Sequence, residues 1–270
     1  MYNKLDKNYN LKGKTAIITG SAGLLGKEHA IALLDIGAKV IMTDVDKVKL
    51  YKICSNLKKK YKAIIPYKLD VTDVNSIKNL DLFLKKKKIK INILINNAAI
   101  DAKFKKQRSN NSFESFSLEQ WNKEISVGLT GAMLCSKIFG TNMAKNKGGV
   151  ILNIASDLSV IAPNQNLYKS KNNSFFKPVT YSVIKTGIIG LTRYISTYWT
   201  NKNIRCNALS PGGVEVNQKK EFKNKLKSMI PLNRMAKKNE YRGAIQFLCS
   251  DASKYMNGQN VVIDGGRSVW

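Results

Sequence analysis

The stretch TAIITGSAGLLGKEHAIALLDIG, residues 15–37, decides the fold. Its first five residues are mostly apolar or β-branched and too few for a helix, so they predict a buried strand. Three glycines follow, and apolar residues then recur at helical spacing until Gly37 ends the run. The stretch therefore predicts a strand, a glycine turn and a helix, which together form the first half of a βαβ unit.

The glycine turn has the chemistry of a phosphate site. The helix after it leaves backbone N–H groups free and carries a partial positive charge at its N-terminus. A second predicted strand, residues 39–43, ends in Asp44, whose carboxylate is placed to accept hydrogen bonds from ribose hydroxyls. The glycines alone are equally typical of a tight turn without a ligand, but together with Asp44 they favour dinucleotide binding. The contacts predicted from this turn are Gly20, Ala22, Gly23, Leu24, Leu25 and Gly26.

Length and composition predict one large domain in a reducing compartment. The chain has 270 residues, of which 43% are apolar. Residues 1–10 form a polar extension without the apolar core of a signal peptide, and residues 11–270 form the domain. No apolar run approaches the length of a membrane span. Because the four cysteines are scattered, without zinc or disulfide spacing, we expect a cytoplasmic protein without a metal site.

The formal net charge of +28 is the unusual feature of the composition. A charge of this size is compatible with binding to nucleic acid or to an anionic membrane. However, the lysines occur in short runs at predicted helix ends and loops, where a solvated surface explains them. Lys, Asn and Ile are all abundant, as expected for a genome rich in A and T. We therefore expect no nucleic-acid partner.

Strands and helices alternate along the whole chain. This rhythm predicts a doubly wound parallel sheet of the Rossmann type, with about seven strands and helices on both faces. A long helix is predicted over residues 118–145, interrupted near Gly128 and Gly131. Ligands of such sheets collect at the carboxyl ends of the strands. The predicted strands are residues 15–19, 39–43, 63–69, 91–95, 150–154, 204–209 and 260–263.

Tyr181 and Lys185 are four residues apart on a predicted helix, so both side chains lie on one face. A free phenol titrates near pH 10, and a nearby cation lowers the pKa of tyrosine toward the range of efficient acid–base catalysis. Ser156 ends the fifth predicted strand, where its hydroxyl can hold a substrate oxygen. Taken alone, the Tyr-x-x-x-Lys pattern is more typical of an ordinary helix surface.

The motifs taken in order resemble those of a classical short-chain dehydrogenase/reductase, from Leu11 to Gly266. The resemblance implies that Tyr181 is the acid/base, that Ser156 orients the substrate, and that Lys185 binds the nicotinamide ribose and lowers the pKa of the tyrosine. It also implies a homotetramer or homodimer. The motifs that carry the resemblance are Thr19-Gly20 with Gly26, Asp70-Val71, Asn96-Asn97-Ala98, Asn153-Ile154-Ala155-Ser156, Tyr181 with Lys185, and Pro211-Gly212. The further cofactor contacts that it implies are Asp44, Asp70, Val71, Asn97, Ala98, Ala99, Tyr181, Lys185, Pro211, Gly212 and Val214.

Three positions depart from the family pattern. Leu24 occupies the place of the middle glycine of the turn, and Ala99 that of a glycine after the fourth strand. Gly128 stands where the family carries an asparagine that holds a water of its proton relay. Because glycine has no side chain for that task, the resemblance implies that another group positions the water or that the relay runs differently.

The implied activity is hydride transfer between NAD and a secondary alcohol or ketone. NAD is expected over NADP because Asp44 would repel a 2′-phosphate, and no Arg or Lys occupies Ser21, Ala22 or Val45. The aromatic tail and an inserted loop at about residues 157–178 resemble enzymes of bacterial surface-sugar biosynthesis. The alternatives are a 3-oxoacyl-thioester reductase and a dinucleotide-sensing protein without turnover.

The inserted loop is anchored at both ends by predicted catalytic residues, so it must emerge at the mouth of the active site. Loops of this length inside a compact domain are usually functional or disordered. We expect aromatic side chains of the loop to pack on a sugar-like ring and its lysines to meet an anionic group. The side chains assigned to the substrate are Tyr168, Lys169, Lys171 and Phe175.

Overall fold

The structure is a computed structural model that describes residues 7–100, 111–170 and 173–270. Its strands are β1 (Thr15–Ile18), β2 (Lys39–Asp44), β3 (Ile64–Lys68), β4 (Ile93–Asn96), β5 (Gly149–Ile154), β6 (Lys169–Ser170), β7 (Asn173–Ser174), β8 (Ile204–Pro211) and β9 (Asn260–Ile263). Its helices are α1 (Leu24–Asp35), α2 (Lys47–Lys58), α3 (Val74–Lys86), α4 (Leu118–Ile125), α5 (Gly131–Lys145), α6 (Val179–Tyr198), α7 (Lys220–Lys227) and α8 (Arg242–Cys249).

Seven of the described strands form one parallel sheet in the order β3-β2-β1-β4-β5-β8-β9. The predicted Rossmann-type sheet is therefore confirmed. Strand β1 pairs with β2 on one side and with β4 on the other, so the strand order reverses next to β1. A crevice opens at the carboxyl ends of strands at such a point.

Successive residues of the strands face opposite sides of the sheet, and both sides are covered. Ala16 and Ile18 pack with α1, α2 and α8, whereas Ile17 packs with α3, α5 and α6. All three side chains are fully buried. This arrangement explains why the central strands β1 and β4 consist almost entirely of buried apolar residues instead of alternating apolar with polar ones.

A buried amide network fixes α5 and α6 against the sheet. Asn96 Nδ2 donates to Asn153 Oδ1 at 2.8 Å and to Ser136 Oγ of α5 at 2.9 Å. Asn153 Nδ2 donates to Thr192 Oγ1 of α6 at 2.8 Å. Hydrogen bonds between buried polar side chains rigidify a core, so the network sets the position of the helix that carries Tyr181.

The predicted long helix is interrupted as expected. It divides into α4, a π-helical turn at Ser126–Thr130, and α5. Helix α7 and the β6–β7 hairpin were not predicted: α7 is a short, mostly polar helix, and each strand of the hairpin has only two residues. None of the described helices is long and apolar enough to cross a membrane.

Candidate active site

The glycine turn closes tightly between β1 and α1. Gly20 has a φ of +63°, and a Cβ there would lie 2.8 Å from Ala98 Cα. A Cβ on Gly26 would overlap the carbonyl oxygen of Gly20. Leu24 does not prevent the closure, because it begins α1 with its side chain 46% exposed. Only glycine therefore fits at positions 20 and 26 without a shift of the surrounding backbone; the binding of a cofactor at this turn stays a prediction.

Hydrogen bonds from the residues at the end of β4 hold this turn in place. Asn97 Nδ2 donates to the carbonyl oxygens of Thr19 and Gly20 at 3.0 and 2.9 Å. Thr19 Oγ1 accepts from the backbone N–H groups of Asn97 and Ala98, both at 3.0 Å. Ala99, which replaces a family glycine, is exposed. The structure thus brings together the predicted contacts from the first and the fourth strand.

Asp44 lies beside the same turn. Its Oδ2 accepts from Ala22 N–H at 2.9 Å, and its Oδ1 accepts from Asp46 N–H at 3.0 Å. The carboxylate therefore holds the turn while it remains partly exposed. Asp70 lies at the end of the neighbouring strand, where its Oδ1 accepts from the N–H and the hydroxyl of Thr72.

Val71 and the segment after β8 complete the predicted cofactor contacts. Val71 is buried against Gly131, where a Cβ would lie 2.7 Å from the valine Cγ2. Pro211 is the last residue of β8, and Gly212 N–H donates to Ile263 O at 2.8 Å. Val214 forms an isolated parallel bridge with Ala236. These contacts fix the backbone at the carboxyl ends of β8 and β9.

Tyr181 and Lys185 lie on α6, which packs against the turn Asp157–Ser159 that follows Ser156. Lys185 is 7% exposed, and its Nζ donates to Ile154 O at 2.8 Å. The same Nζ is 5.8 Å from the centroid of the Tyr181 ring. The hydrogen bond to the end of β5 holds the ammonium of Lys185 beside the phenol of Tyr181, as expected for two residues on one face of a helix.

Ser156 is paired with a carboxylate that the sequence analysis missed. Ser156 Oγ donates to Asp157 Oδ1 at 2.8 Å, and Arg267 Nη1 donates to Asp157 Oδ2 at 2.6 Å. The Arg267 and Asp157 side chains are only 7% and 5% exposed. The position of Asp157 directly after Ser156 was an available signal, whereas nothing in the sequence marks Arg267 as its partner.

Tyr241 lies near the same pair, and its hydroxyl donates to Gly212 O at 3.1 Å. Burial raises the pKa of Tyr241, and the charge of Asp157 raises it further. This tyrosine stays protonated and serves as a fixed donor. The hydroxyl of Tyr241 thus holds the segment after β8, close enough to Asp157 to feel its charge.

The packing around position 128 explains why this residue is a glycine. A Cβ at this position would lie 2.8 Å from Ile184 Cγ2, so the isoleucine that precedes Lys185 fills the space next to the glycine. One turn before Gly128, the buried Glu124 accepts from the hydroxyl of Thr180 and from Gln120 Nε2, the latter at 2.9 Å. An asparagine at position 128 would have to displace Ile184.

The inserted segment packs on α7. Leu167 is buried with Leu226, and the rings of Tyr168 and Phe222 have centroids 5.6 Å apart. Lys169 is exposed, and its carbonyl oxygen accepts from Lys225 Nζ at 2.9 Å. These contacts fold the segment over the carboxyl edge of the sheet.

Two further loop positions had been assigned to the substrate. Phe175 is partly buried, and Lys171 lies outside the described residues. The lysine that the structure places against Tyr181 is Lys177, with its Nζ 3.7 Å from the ring centroid. Lys177 is four residues before Tyr181, the same spacing that separates Tyr181 from Lys185, but Pro178 between them hides the pattern.

The single histidine, expected on a helix face, is completely buried in α1. Burial lowers the pKa of His29 to about 3, so the ring is uncharged near neutral pH. Within residues 7–100, 111–170 and 173–270, no three His, Cys, Asp or Glu side chains are grouped as metal ligands would be.

Curated relatives match nearly the whole chain. A 3-oxoacyl-(acyl-carrier-protein) reductase of Thermotoga maritima is 31% identical over 96% of this chain and 99% of its own length. An NAD-dependent glycerol dehydrogenase of Listeria innocua is 30% identical over 98% and 97%. A D-threitol dehydrogenase of Mycolicibacterium smegmatis is 28% identical over 98% and 96%.

Solved structures share the fold over the same extent. A gluconate 5-dehydrogenase from Burkholderia cenocepacia, in complex with NADP and tartrate, has a TM-score of 0.85 at 25% identity, with 97% of this chain and 98% of that chain covered. A short-chain dehydrogenase from Leptospira borgpetersenii with bound NAD+ has a TM-score of 0.85 at 30% identity, with 100% and 99% covered.

A family model described as enoyl-(acyl carrier protein) reductase matches residues 20–268. It spans the glycine turn, the Tyr181 helix and the buried Arg267. The predicted resemblance is therefore confirmed at the level of the family. The chain belongs to the short-chain dehydrogenases/reductases, which are NAD(P)-dependent oxidoreductases acting on hydroxyl and keto groups.

Proposed function

We propose that this protein is an NAD-preferring dehydrogenase that oxidises a secondary alcohol of a small polyhydroxylated substrate, or reduces the corresponding ketone. The observation that carries the proposal is the buried Lys185 held beside Tyr181, with Ser156 at the end of the adjacent strand β5. An ammonium near a phenol favours the phenolate. Tyr181 then accepts the hydroxyl proton of an alcohol, or returns it to a ketone oxygen, while Ser156 holds that oxygen.

The residues present fit a dinucleotide. A Cβ at Gly20 or Gly26 would collide with the protein's own backbone, so the glycines let the turn close against β4, and the first turn of α1 leaves N–H groups free for a pyrophosphate. Asp44 would meet the adenosine ribose, and Lys185 the nicotinamide ribose. When bound, the nicotinamide accepts or supplies the hydride. The chain's own residues orient the reacting carbon and move the proton.

The preference for NAD rests on Asp44. The solved relatives include complexes with NADP and with NAD+, so the family alone does not decide between them. Here a partly exposed carboxylate lies at the turn, and the adjoining positions are Ser21, Ala22 and Val45. A 2′-phosphate at this place would face a negative charge without a cation from any of those three positions.

The substrate class is inferred from the relatives and from the inserted segment. Relatives named for glycerol, D-threitol and gluconate are similar to this chain over almost its whole length. The segment over the carboxyl edge brings aromatic and cationic side chains, which suit a polyhydroxylated or sugar-like molecule with an anionic group. A role in bacterial surface-sugar biosynthesis stays a prediction, since none of these relatives is named for it.

A 3-oxoacyl-thioester reductase is the second candidate. It is favoured by the reductase of Thermotoga maritima, which is 31% identical to this chain. A sensing protein without turnover is less favoured, because Ser156, Tyr181 and Lys185 are all retained. A screen that follows NADH absorbance with polyols, sugar acids, nucleotide sugars and 3-oxoacyl thioesters tests the proposal. Turnover with thioesters alone would support the reductase, and turnover with none of them would contradict both enzymes.

We also infer a homodimer or homotetramer in a reducing cytoplasm. The outer face of α6 exposes Tyr194 and Tyr198, which stack with ring centroids 5.7 Å apart, while Ile188 and Ile195 of the same helix are buried against the sheet. An exposed aromatic pair of this kind suits a subunit contact. The cysteines are unpaired and buried, and burial raises the pKa of Cys135 to about 12. Sedimentation at micromolar concentration tests the assembly.

A further inference from the structure

A second cation lies against the tyrosine assigned as the acid/base. Lys177 Nζ is 3.7 Å from the centroid of the Tyr181 ring, whereas Lys185 Nζ is 5.8 Å from it. The two ammonium groups come from opposite sides in sequence, Lys177 from the inserted segment and Lys185 from α6. The phenol is therefore flanked by two positive charges rather than by one.

The position of Lys177 is fixed by its surroundings. Its backbone N–H donates to Gln165 Oε1 at 2.9 Å, which ties the end of the inserted segment to its beginning. Pro178 follows with a φ of −54° and precedes the first turn of α6. The same segment is anchored on α7 by the buried Leu167. Because the backbone on both sides is held, the partly buried Lys177 differs from the many exposed lysines of this chain.

A cation on the face of an aromatic ring is attracted by its π electrons. When the phenol loses its proton, negative charge spreads into the ring and the attraction to the cation increases. A lysine at this distance therefore stabilises the phenolate more than the phenol. The effect adds to that of Lys185, because the two ammonium groups approach the ring from different parts of the chain.

Two described carboxylates lie on elements that pack against α6. On the side of β5, the described carboxylate is Asp157, which is paired with Arg267 and accepts from Ser156. On the side of α4 it is Glu124, which accepts from Thr180 and Gln120. Asp157 is thus paired with a cation, whereas Glu124 is bonded to neutral groups. Within the described part of the chain, the cations that face the Tyr181 ring are Lys177 and Lys185.

We propose that Lys177 is a positioning residue that acts with Lys185 to hold Tyr181 ready to take a proton from the substrate hydroxyl. This rests on the proposed function, in which Tyr181 is the acid/base. It gives the inserted segment a role in the chemistry as well as in substrate binding. In this chain two lysines, rather than one, then stabilise the phenolate of the tyrosine.

The test is a spectroscopic titration of Tyr181 that needs neither substrate nor cofactor. The protein has 11 tyrosines, so the phenolate absorbance of Tyr181 is obtained as the difference between each protein and the same protein carrying Tyr181→Phe. Lys177→Met should raise the titration midpoint of Tyr181 by about one pH unit. Lys177→Arg, which keeps the charge, should leave the midpoint close to that of the unmodified protein. Lys169→Met is the matched control, since it removes an exposed lysine of the same segment and should cause no shift.

An unchanged midpoint in Lys177→Met, or an equal shift in Lys169→Met, would overturn the proposal. Circular dichroism and NAD binding establish that each variant is folded, and Lys177→Gln replaces Lys177→Met if the latter is insoluble. If the screen yields a substrate, the acidic limb of kcat/KM for alcohol oxidation should move upward by the same amount as the midpoint. If it yields none, the titration still decides the role of Lys177, so the two proposals fail separately.

Discussion

The glycine turn at residues 20–26 and the inserted segment at residues 157–178 lie at the same edge of the sheet, but different contacts shape them. The turn is held by its own backbone and by the adjacent strand end, through Asn97 and Thr19. The segment is held by side chains that are distant in sequence, including Phe222 of α7. Its Lys177, which precedes Pro178, lies against the ring of Tyr181.

This difference separates the two halves of the site. The cofactor half depends on close backbone approach, in which a single added methyl group interferes. The substrate half depends on side chains that meet from distant parts of the chain, such as Asp157 with Arg267 and Tyr168 with Phe222. A substitution in one half should therefore leave the function of the other half intact, so that NAD affinity and turnover can be changed separately.

The largest effect is expected for Tyr181→Phe, which breaks the substrate half alone. The ring still packs in place, but the proton acceptor is gone, and single proton-transfer residues contribute about 10²- to 10⁴-fold to turnover. The turnover number should fall by that factor, while NAD affinity from isothermal titration stays unchanged. Tyr255→Phe is the matched control, because Tyr255 is fully exposed and lies outside α6. Near-normal turnover of Tyr181→Phe would remove the assigned mechanism.

The next largest effect is expected for the buried ion pair of Asp157 and Arg267, which is hydrogen-bonded to Ser156. Arg267→Met leaves Asp157 buried without its cation, which typically lowers the free energy of unfolding by about 3–5 kcal/mol. The double variant Asp157→Leu/Arg267→Met removes both charges and should recover most of the loss. Urea denaturation of the two variants measures the difference. If the double variant were as unstable as the single one, the ion pair would not be the cause of the destabilisation.

The sequence predicts the cofactor half better than the substrate half, for a physical reason. Gly20, Gly26 and Asp44 act close to where they stand in the chain, through backbone conformation and the end of the neighbouring strand. The parallel sheet follows from the same local patterns. Its strands were therefore predicted within a few residues of their observed ends.

The substrate half requires contacts that no local pattern contains. Arg267 meets Asp157 across 110 positions, and Ile184 closes the space beside Gly128 only once α6 packs against the π-helical turn. The sequence favours Lys169 and Lys171 as contacts of an anionic group and does not single out Lys177, because the directions of side chains in a loop cannot be obtained from residue spacing. The assignments of Tyr168 and Phe175 to the substrate stay predictions.

A smaller effect is expected for Gly26→Ala, which should disturb the cofactor half alone. The added Cβ would overlap Gly20 O and approach Ser21 Cα at 2.7 Å. Overpacking commonly lowers the free energy of unfolding by about 1–3 kcal/mol. Because the Cβ also displaces the backbone assigned to the pyrophosphate, NAD affinity should fall about ten- to a hundredfold, which corresponds to about 1.4–2.8 kcal/mol. Gly190→Ala is the matched control, because a Cβ there meets nothing within 4 Å and alanine stabilises a helix by about 0.5–1 kcal/mol. Equal NAD affinities of the two variants would show that the turn is not the phosphate site.

The smallest effect tests the charge of Asp44 within the cofactor half. Asp44→Asn keeps an oxygen that can accept from Ala22 N–H, but it removes the negative charge that would face a 2′-phosphate. The ratio of NADP to NAD affinity should rise about tenfold, which corresponds to about 1.4 kcal/mol. Asp44→Ala is the comparison: it loses the charge and also the bond to the turn, so it should weaken both cofactors while changing their ratio by a similar factor. Isothermal titration with both dinucleotides measures the ratio. If Asp44→Asn leaves the ratio unchanged while Asp44→Ala weakens both cofactors equally, Asp44 serves only to hold the turn, and the preference for NAD has to come from another residue.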